Sequence, residues 1–119
     1  RRILDKKNKK YLKKEKIKLQ IRSIFLRGLL LYNFDNFPKK FKYWKDDFKK
    51  YQIFLKKIKL NKITGALSIL NKVEYDSVVI GFDSYKEFKE ILRNIPDNNL
   101  LIPNFNIRKR NKIIDPRKW

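Results

Sequence analysis

The stretch FLKKIKLNKITG, residues 54 to 65, changes period partway along. Its first half loosely alternates Leu55, Lys57 and Lys59 against Phe54, Lys56 and Ile58, as one half-buried strand would, whereas Ile63, Ala66, Leu67 and Leu70 beyond it recur at helical spacing. On this reading a strand turns into a helix near Asn61. Lys56, Lys57, Lys59 and Lys62 crowd that corner, and so much like charge raises the energy of a compact state unless something anionic meets it. A helix starting there would offer free amides and the positive end of its dipole to a phosphate, with the lysines neutralising its neighbours.

Outward from the corner, elements alternate. Residues 5 to 20 are dense in lysine, with sparse apolar positions at Tyr11, Leu12, Ile17 and Leu19; they read as a basic helix, although the alternation from Ile17 to Ile21 leaves a strand open. Ile24 to Tyr32 is a short apolar run suited to a buried strand, and NFDNFP after it is turn chemistry, with Pro38 placed to open a helix. Phe37, Phe41, Trp44, Phe48 and Tyr51 then step by 4, 3, 4 and 3, an aromatic stripe on one helical face that reads as core. Lys39, Lys40, Lys42, Lys45, Lys49 and Lys50 lie mostly off the stripe and read equally as a solvated face or as contacts to a polyanion. DSVVIGF at 76–82 supplies another strand, and SYKE at 84–87 is a capping box ahead of the apolar face Phe88, Ile91, Leu92 and Ile95, which Pro96 ends. NLLIPNF reads as a last strand that Pro103 confines to an edge or a strand end. The order predicts an α/β fold, helices packed on a sheet of about four strands.

Charge narrows the partner. The chain has 119 residues, about one domain, and 42% hydrophobic with 14% aromatic residues is enough to fold it. Its 32 Lys and Arg against 12 Asp and Glu give a net charge of +20, which reads as attraction to a polyanion, nucleic acid ahead of an anionic membrane surface. No apolar run approaches the roughly 20 residues needed to cross a bilayer, so a transmembrane segment is not expected. Residues 1–22 carry 11 basic and 2 acidic side chains, 23–72 carry 12 and 3, 73–107 carry 3 and 6, and 108–119 carry 6 and 1. One segment thus escapes the basic bias. The division expected is a basic segment at 1–22, an α/β RNA-binding domain at 23–107 and a basic tail at 108–119, with the acidic segment turned away from the polyanion.

Catalysis finds little material. With no Cys and no His there is no disulfide, no thiolate zinc site and no usual general base; Asp46 and Asp47 diverge on a helix among lysines, and Gly28, Gly65 and Gly81 are too isolated to form a phosphate-cradling loop. No enzyme activity, cofactor, metal or small-molecule substrate is expected.

The order of elements resembles the amino-terminal domain of the large-subunit ribosomal stalk-base family, the L-ten family. Leu29 to Tyr32 look like its hydrophobic strand, and Phe34, Asp35, Asn36, Phe37 and Pro38 like its aromatic turn, with Asn36 where the family has Gly. Lys56 to Ile63, with Asn61, resembles its Val-Val-Lys-Asn-Thr-Leu after a one-residue slip, and Ala66 and Leu67 the Ala-Leu behind it. SVVIGFDSYKEFKEIL resembles its later strand and helix.

The resemblance implies rRNA and neighbouring ribosomal proteins as partners, with acidic stalk proteins held through a further helix beyond this chain. A short chain without Met and biased as an AT-rich genome would bias it suits an organelle, the mitochondrion first and the plastid second, or else a basic ribosomal protein of another position or a peripheral subunit of a membrane-associated complex. The residues expected against RNA are Arg1, Arg2, Lys6, Lys7, Lys9, Lys10, Lys13, Lys14, Lys56, Lys57, Lys59, Asn61, Lys62, Arg108, Lys109 and Arg110.

Overall fold

A computed structural model describes residues 6–97, 99, 100, 102 and 103. The order is α1 (Lys6–Lys14), β1 (Gln20–Arg22), a 3-10 turn at Leu29–Leu31, a 3-10 segment at Lys39–Trp44 running into α2 (Lys45–Lys57), α3 (Lys62–Leu67) continued by a 3-10 turn at Ser68–Lys72, β2 (Ser77–Val79) and α4 (Tyr85–Arg93). β1 and β2 pair in parallel, Gln20 with Ser77, Ile21 with Val78 and Arg22 with Val79, and among the described residues this pair is the whole sheet. The four-stranded α/β arrangement is therefore corrected: the fold is mostly helical, with one short two-stranded parallel sheet.

Two expected strands are helical for identifiable reasons. In the run from Ile24 to Tyr32, Leu26, Arg27 and Gly28 take positive φ of 50°, 55° and 81° in succession, which curls the chain into a turn that still buries Ile24 and Leu29. Burial rather than extension is what that apolar run encodes. At the corner, α2 simply continues to Lys57, because Leu55 lies seven residues after Phe48 and so falls on the same buried face, with Gln52 between them. The helix then ends on a Schellman motif. Lys59 adopts φ 54°, the Leu60 amide donates to Leu55 O at 2.9 Å and the Lys59 amide to Lys56 O at 3.1 Å, so the carbonyls orphaned by the last turn are satisfied. α1 ends the same way, with Lys16 at φ 52° and the Ile17 amide on Leu12 O at 3.0 Å.

The other expected elements are met in part: the aromatic-stripe helix, read as one, is a 3-10 segment at Lys39–Trp44 with Phe41 at φ −104° ahead of α2, the strand expected at 76–82 is Ser77–Val79, and Leu92 and Ile95 of the apolar face expected after the capping box stand exposed. Phe41, Trp44 and Phe48 of the aromatic stripe are buried; Phe37 packs its ring on Phe48 with centroids 4.6 Å apart, and burial pushes the Tyr51 hydroxyl up to about 12, so it stays neutral at physiological pH. Ser84 Oγ accepts from the Glu87 amide at 3.2 Å, while Glu87 Oε2 reaches the Asp83 amide at 2.8 Å, one residue ahead of the cap. The last expected strand, 99–105, lies partly outside the described residues. Within them Ile102 is buried, Lys72 Nζ donates to its carbonyl, and Asn71 Nδ2 donates to Asp97 O at 2.7 Å and Leu100 O at 2.9 Å.

The core has two parts. Leu29, Phe41 and Trp44 form one cluster, against which Leu26 and Phe37 pack; Ile24, Ala66 and Leu67 form the other, joined by Ile21, Ile63, Val78 and Ile91 among others, so that β1, β2, α3 and α4 share it. Gly65 lets α3 approach α2: a Cβ there would lie 2.7 Å from both Leu55 Cδ2 and Tyr51 Oη. Leu55 is 2% exposed and has nowhere to retreat. Gly65→Ala gains about 1 kcal/mol of helix propensity and loses about 2 kcal/mol to overpacking. A net loss of about 1 kcal/mol should appear in the urea midpoint, and a stabilised variant would show that the two helices are not in close contact.

Candidate nucleic-acid interface

The corner is thus a helix-to-helix turn, and its cations divide between structure and solvent. Asn61 is the N-cap of α3: its Oδ1 accepts from the Thr64 amide at 2.8 Å, and its Nδ2 donates to Asn94 Oδ1. Lys62 extends its ammonium to Leu31 O at 3.2 Å, Tyr32 O at 3.0 Å and Asn33 Oδ1, so it ties the end of the 29–31 turn to α3. Desolvation, and then the Lys56 ammonium nearby, hold Lys62 below the usual lysine range. Two of the five corner residues expected against RNA are therefore committed to internal bonds. Lys56, Lys57 and Lys59 stand exposed.

A cleft of about 670 Å³ opens beside this corner. Lys56, Asn61 and Lys62 line it together with Phe25, Phe34 and Ile91, but so do Glu87 and Glu90 of α4. The acidic segment, expected to face away, here presents two carboxylates to the lysine corner and lowers its positive potential.

The other expected positions are dispersed. Lys6 and Lys7 open α1; Lys10, Lys13 and Lys14 stand exposed along it and Lys9 is half-buried. Lys13 is paired with Glu74 at 3.0 Å, and that hydrogen bond, with the charge behind it, holds the Glu74 carboxyl below the usual carboxylate range. Arg1, Arg2, Arg108, Lys109 and Arg110 lie outside the described residues.

The residues expected against RNA leave out a different group. Lys45 and Lys49 both lie over the ring of Phe34, at 4.6 Å and 5.3 Å from its centroid; Lys40 lies over Phe41 at 5.1 Å and Lys42 over Tyr43 at 5.2 Å. A second hollow, of about 510 Å³, is lined by Phe37, Pro38, Lys39, Lys40, Lys42 and Lys45. Among the described residues none of Lys39, Lys40, Lys42, Lys45, Lys49, Lys50, Lys56, Lys57 or Lys59 is within ion-pair distance of a carboxylate. The signal was present in the spacing of positions 42, 45, 49 and 56, which fall on one flank of a helix, but the lysine density of the whole segment masked it.

A scan against protein-family models and searches of curated proteins and of solved structures return no match.

Proposed function

We propose that the chain is a structural RNA-binding protein of a ribosomal large subunit, at the stalk base, in an organelle: the mitochondrion first, the plastid second. The observation that carries the RNA part is the uncompensated charge. The whole chain carries a net +20, and among the described residues exposed lysines of α1, α2 and the corner contribute to it, those of α2 and the corner with no carboxylate partner. Such a surface is stabilised by a polyanion that releases counterions on binding. No helix among the described residues is long and apolar enough to cross a membrane.

The stalk-base part rests on residue order, with Asn61 capping a helix that buries Ala66 and Leu67 as its support. Among the described residues the four-stranded sheet expected from the order of elements is not formed, so that support is local to the corner. Exposed Val79, Phe82, Leu92 and Ile95, all within the acidic segment, favour neighbouring ribosomal proteins on that side.

The test is binding to a stalk-base rRNA fragment and to an unrelated rRNA fragment of equal length. Affinity should fall steeply between about 50 and 200 mM salt, with about 0.7 to 0.9 counterions released per phosphate neutralised. The stalk-base fragment should bind at least about tenfold tighter. An affinity flat with salt would overturn RNA binding, and equal affinity for the two fragments would overturn the stalk-base assignment.

A further inference from the structure

We propose that a single RNA strand runs along the flank of α2 that carries Lys42, Lys45, Lys49 and Lys56, with a base seated in the hollow over Phe37 and Pro38. This rests on the RNA-binding reading and names the surface that would do the binding.

At about 100° per residue, Lys45, Lys49 and Lys56 fall within about 40° of one another around α2, beside the buried face of Phe48, Gln52 and Leu55. Asp47 falls on the opposite flank. Lys42, in the 3-10 segment just ahead, shares the hollow with Lys45. The row spans about 20 Å, with one ammonium per turn at its start and another two turns on. A phosphodiester strand is the polyanion that repeats its charge along a line in this way.

Ring contacts preorganise three of the row's four ammonium groups, Lys42, Lys45 and Lys49, as they do Lys40 on the rim of the hollow and Lys89 of α4. Phe34 lies under both Lys45 and Lys49, and Tyr43 under Lys42, so these ammonium groups are held near one position by the negative ring faces. Less side-chain freedom is then lost when a phosphate arrives. The outward Lys50, Lys57 and Lys59 have no such support among the described interactions, and Lys62 is already spent on carbonyls. The hollow at the end of the row joins an apolar floor, Phe37 and Pro38, to a rim of Lys39, Lys40, Lys42 and Lys45, which suits one base with its flanking phosphates.

The experiment uses the full chain with a 20-nucleotide single-stranded oligouridylate, and vesicles of phosphatidylserine and phosphatidylcholine as the competing surface. Lys42, Lys45 and Lys49 changed together to Gln should weaken oligouridylate binding at least about tenfold and reduce the salt slope by about two to three. Lys86, Lys89 and Arg93 of α4 changed together to Gln remove the same charge from a surface outside the proposed interface and should cost less than about threefold. The triple Lys→Arg variant at 42, 45 and 49 keeps charge and ring contact and should restore binding. Equal losses from the two Gln triples would overturn the row while leaving RNA binding intact, and failure of the Arg variant to restore binding would overturn it by tracing the loss to packing on Phe34. Loss of vesicle binding with oligouridylate binding unchanged would make the flank a membrane surface and overturn the proposal. No binding of oligouridylate or rRNA by the unaltered chain would instead overturn the RNA reading itself.

Discussion

Replacing Leu67 with alanine should remove about 3 kcal/mol of stability. Leu67 is 1% exposed, and the cluster around it draws Ile21 from β1, Val78 from β2, Ile63 from α3 and Ile91 from α4. Truncation loses the transfer free energy of the removed carbons and leaves a cavity that four elements would have to move together to fill, so little relaxation is available. Against a total of about 5 to 15 kcal/mol for a domain of ordinary stability, that is a large fraction. Urea unfolding of the variant, read by far-ultraviolet circular dichroism, measures it. A loss below about 1 kcal/mol would mean that this cluster is loosely packed and that the sheet and α4 are not anchored through Leu67.

The second large effect is expected at Lys62. Changing it to Met keeps the unbranched stem as far as Cε and removes the ammonium that bonds Leu31 O, Tyr32 O and Asn33 Oδ1. Each such bond is worth about 1 kcal/mol net, and the site is partly open to water. Relief of repulsion from Lys56 gives part of this back, so the expected net loss is about 2 kcal/mol. The informative comparison is with RNA affinity. If Lys62 serves the fold, Lys62→Met should lower the urea midpoint while the folded variant binds oligouridylate within about threefold of the original. A variant of unchanged stability that loses RNA binding tenfold would return Lys62 to the interface and detach it from the 29–31 turn.

How far the sequence went can be judged at particular residues. The burial and helical character of the stripe from Phe37 to Tyr51 were legible because five aromatics at alternating steps of 4 and 3 fit one helical face and no strand, whereas its break into a 3-10 segment ahead of α2, with Phe41 non-helical, was not; Ser84 with Glu87 was legible because capping chemistry is local. The run from Ile24 to Tyr32 was not: nine residues, mostly apolar, have no period of their own, and the left-handed Leu26, Arg27 and Gly28 that make it a turn include only one residue that advertises such a conformation. The corner misled for a related reason. Lys59 takes the left-handed place at the end of α2 where Gly is usual, so the helix stop carried no glycine to mark it. As for the candidate interface, lysine number was plain in the sequence, but which ammonium groups are free depends on Tyr32 O, Phe34 and Glu90 lying beside them, and those are neighbours only after folding.

The pairing of Gln20 with Ser77 bridges a sequence separation of 57 residues. At a synthesis rate of about 5 to 20 residues per second, β1 is made roughly 3 to 11 seconds before β2. In that interval α2 and the Schellman turn that ends it can form, being local, and the Phe37–Phe48 stack can close within its own segment. The sheet therefore closes after α2 and α3 are made and ahead of α4, and Ile21 and Ile24 spend those seconds with their later partners Val78 and Ile91 still unmade, a window in which a nascent-chain chaperone has more to hold than at any point after release.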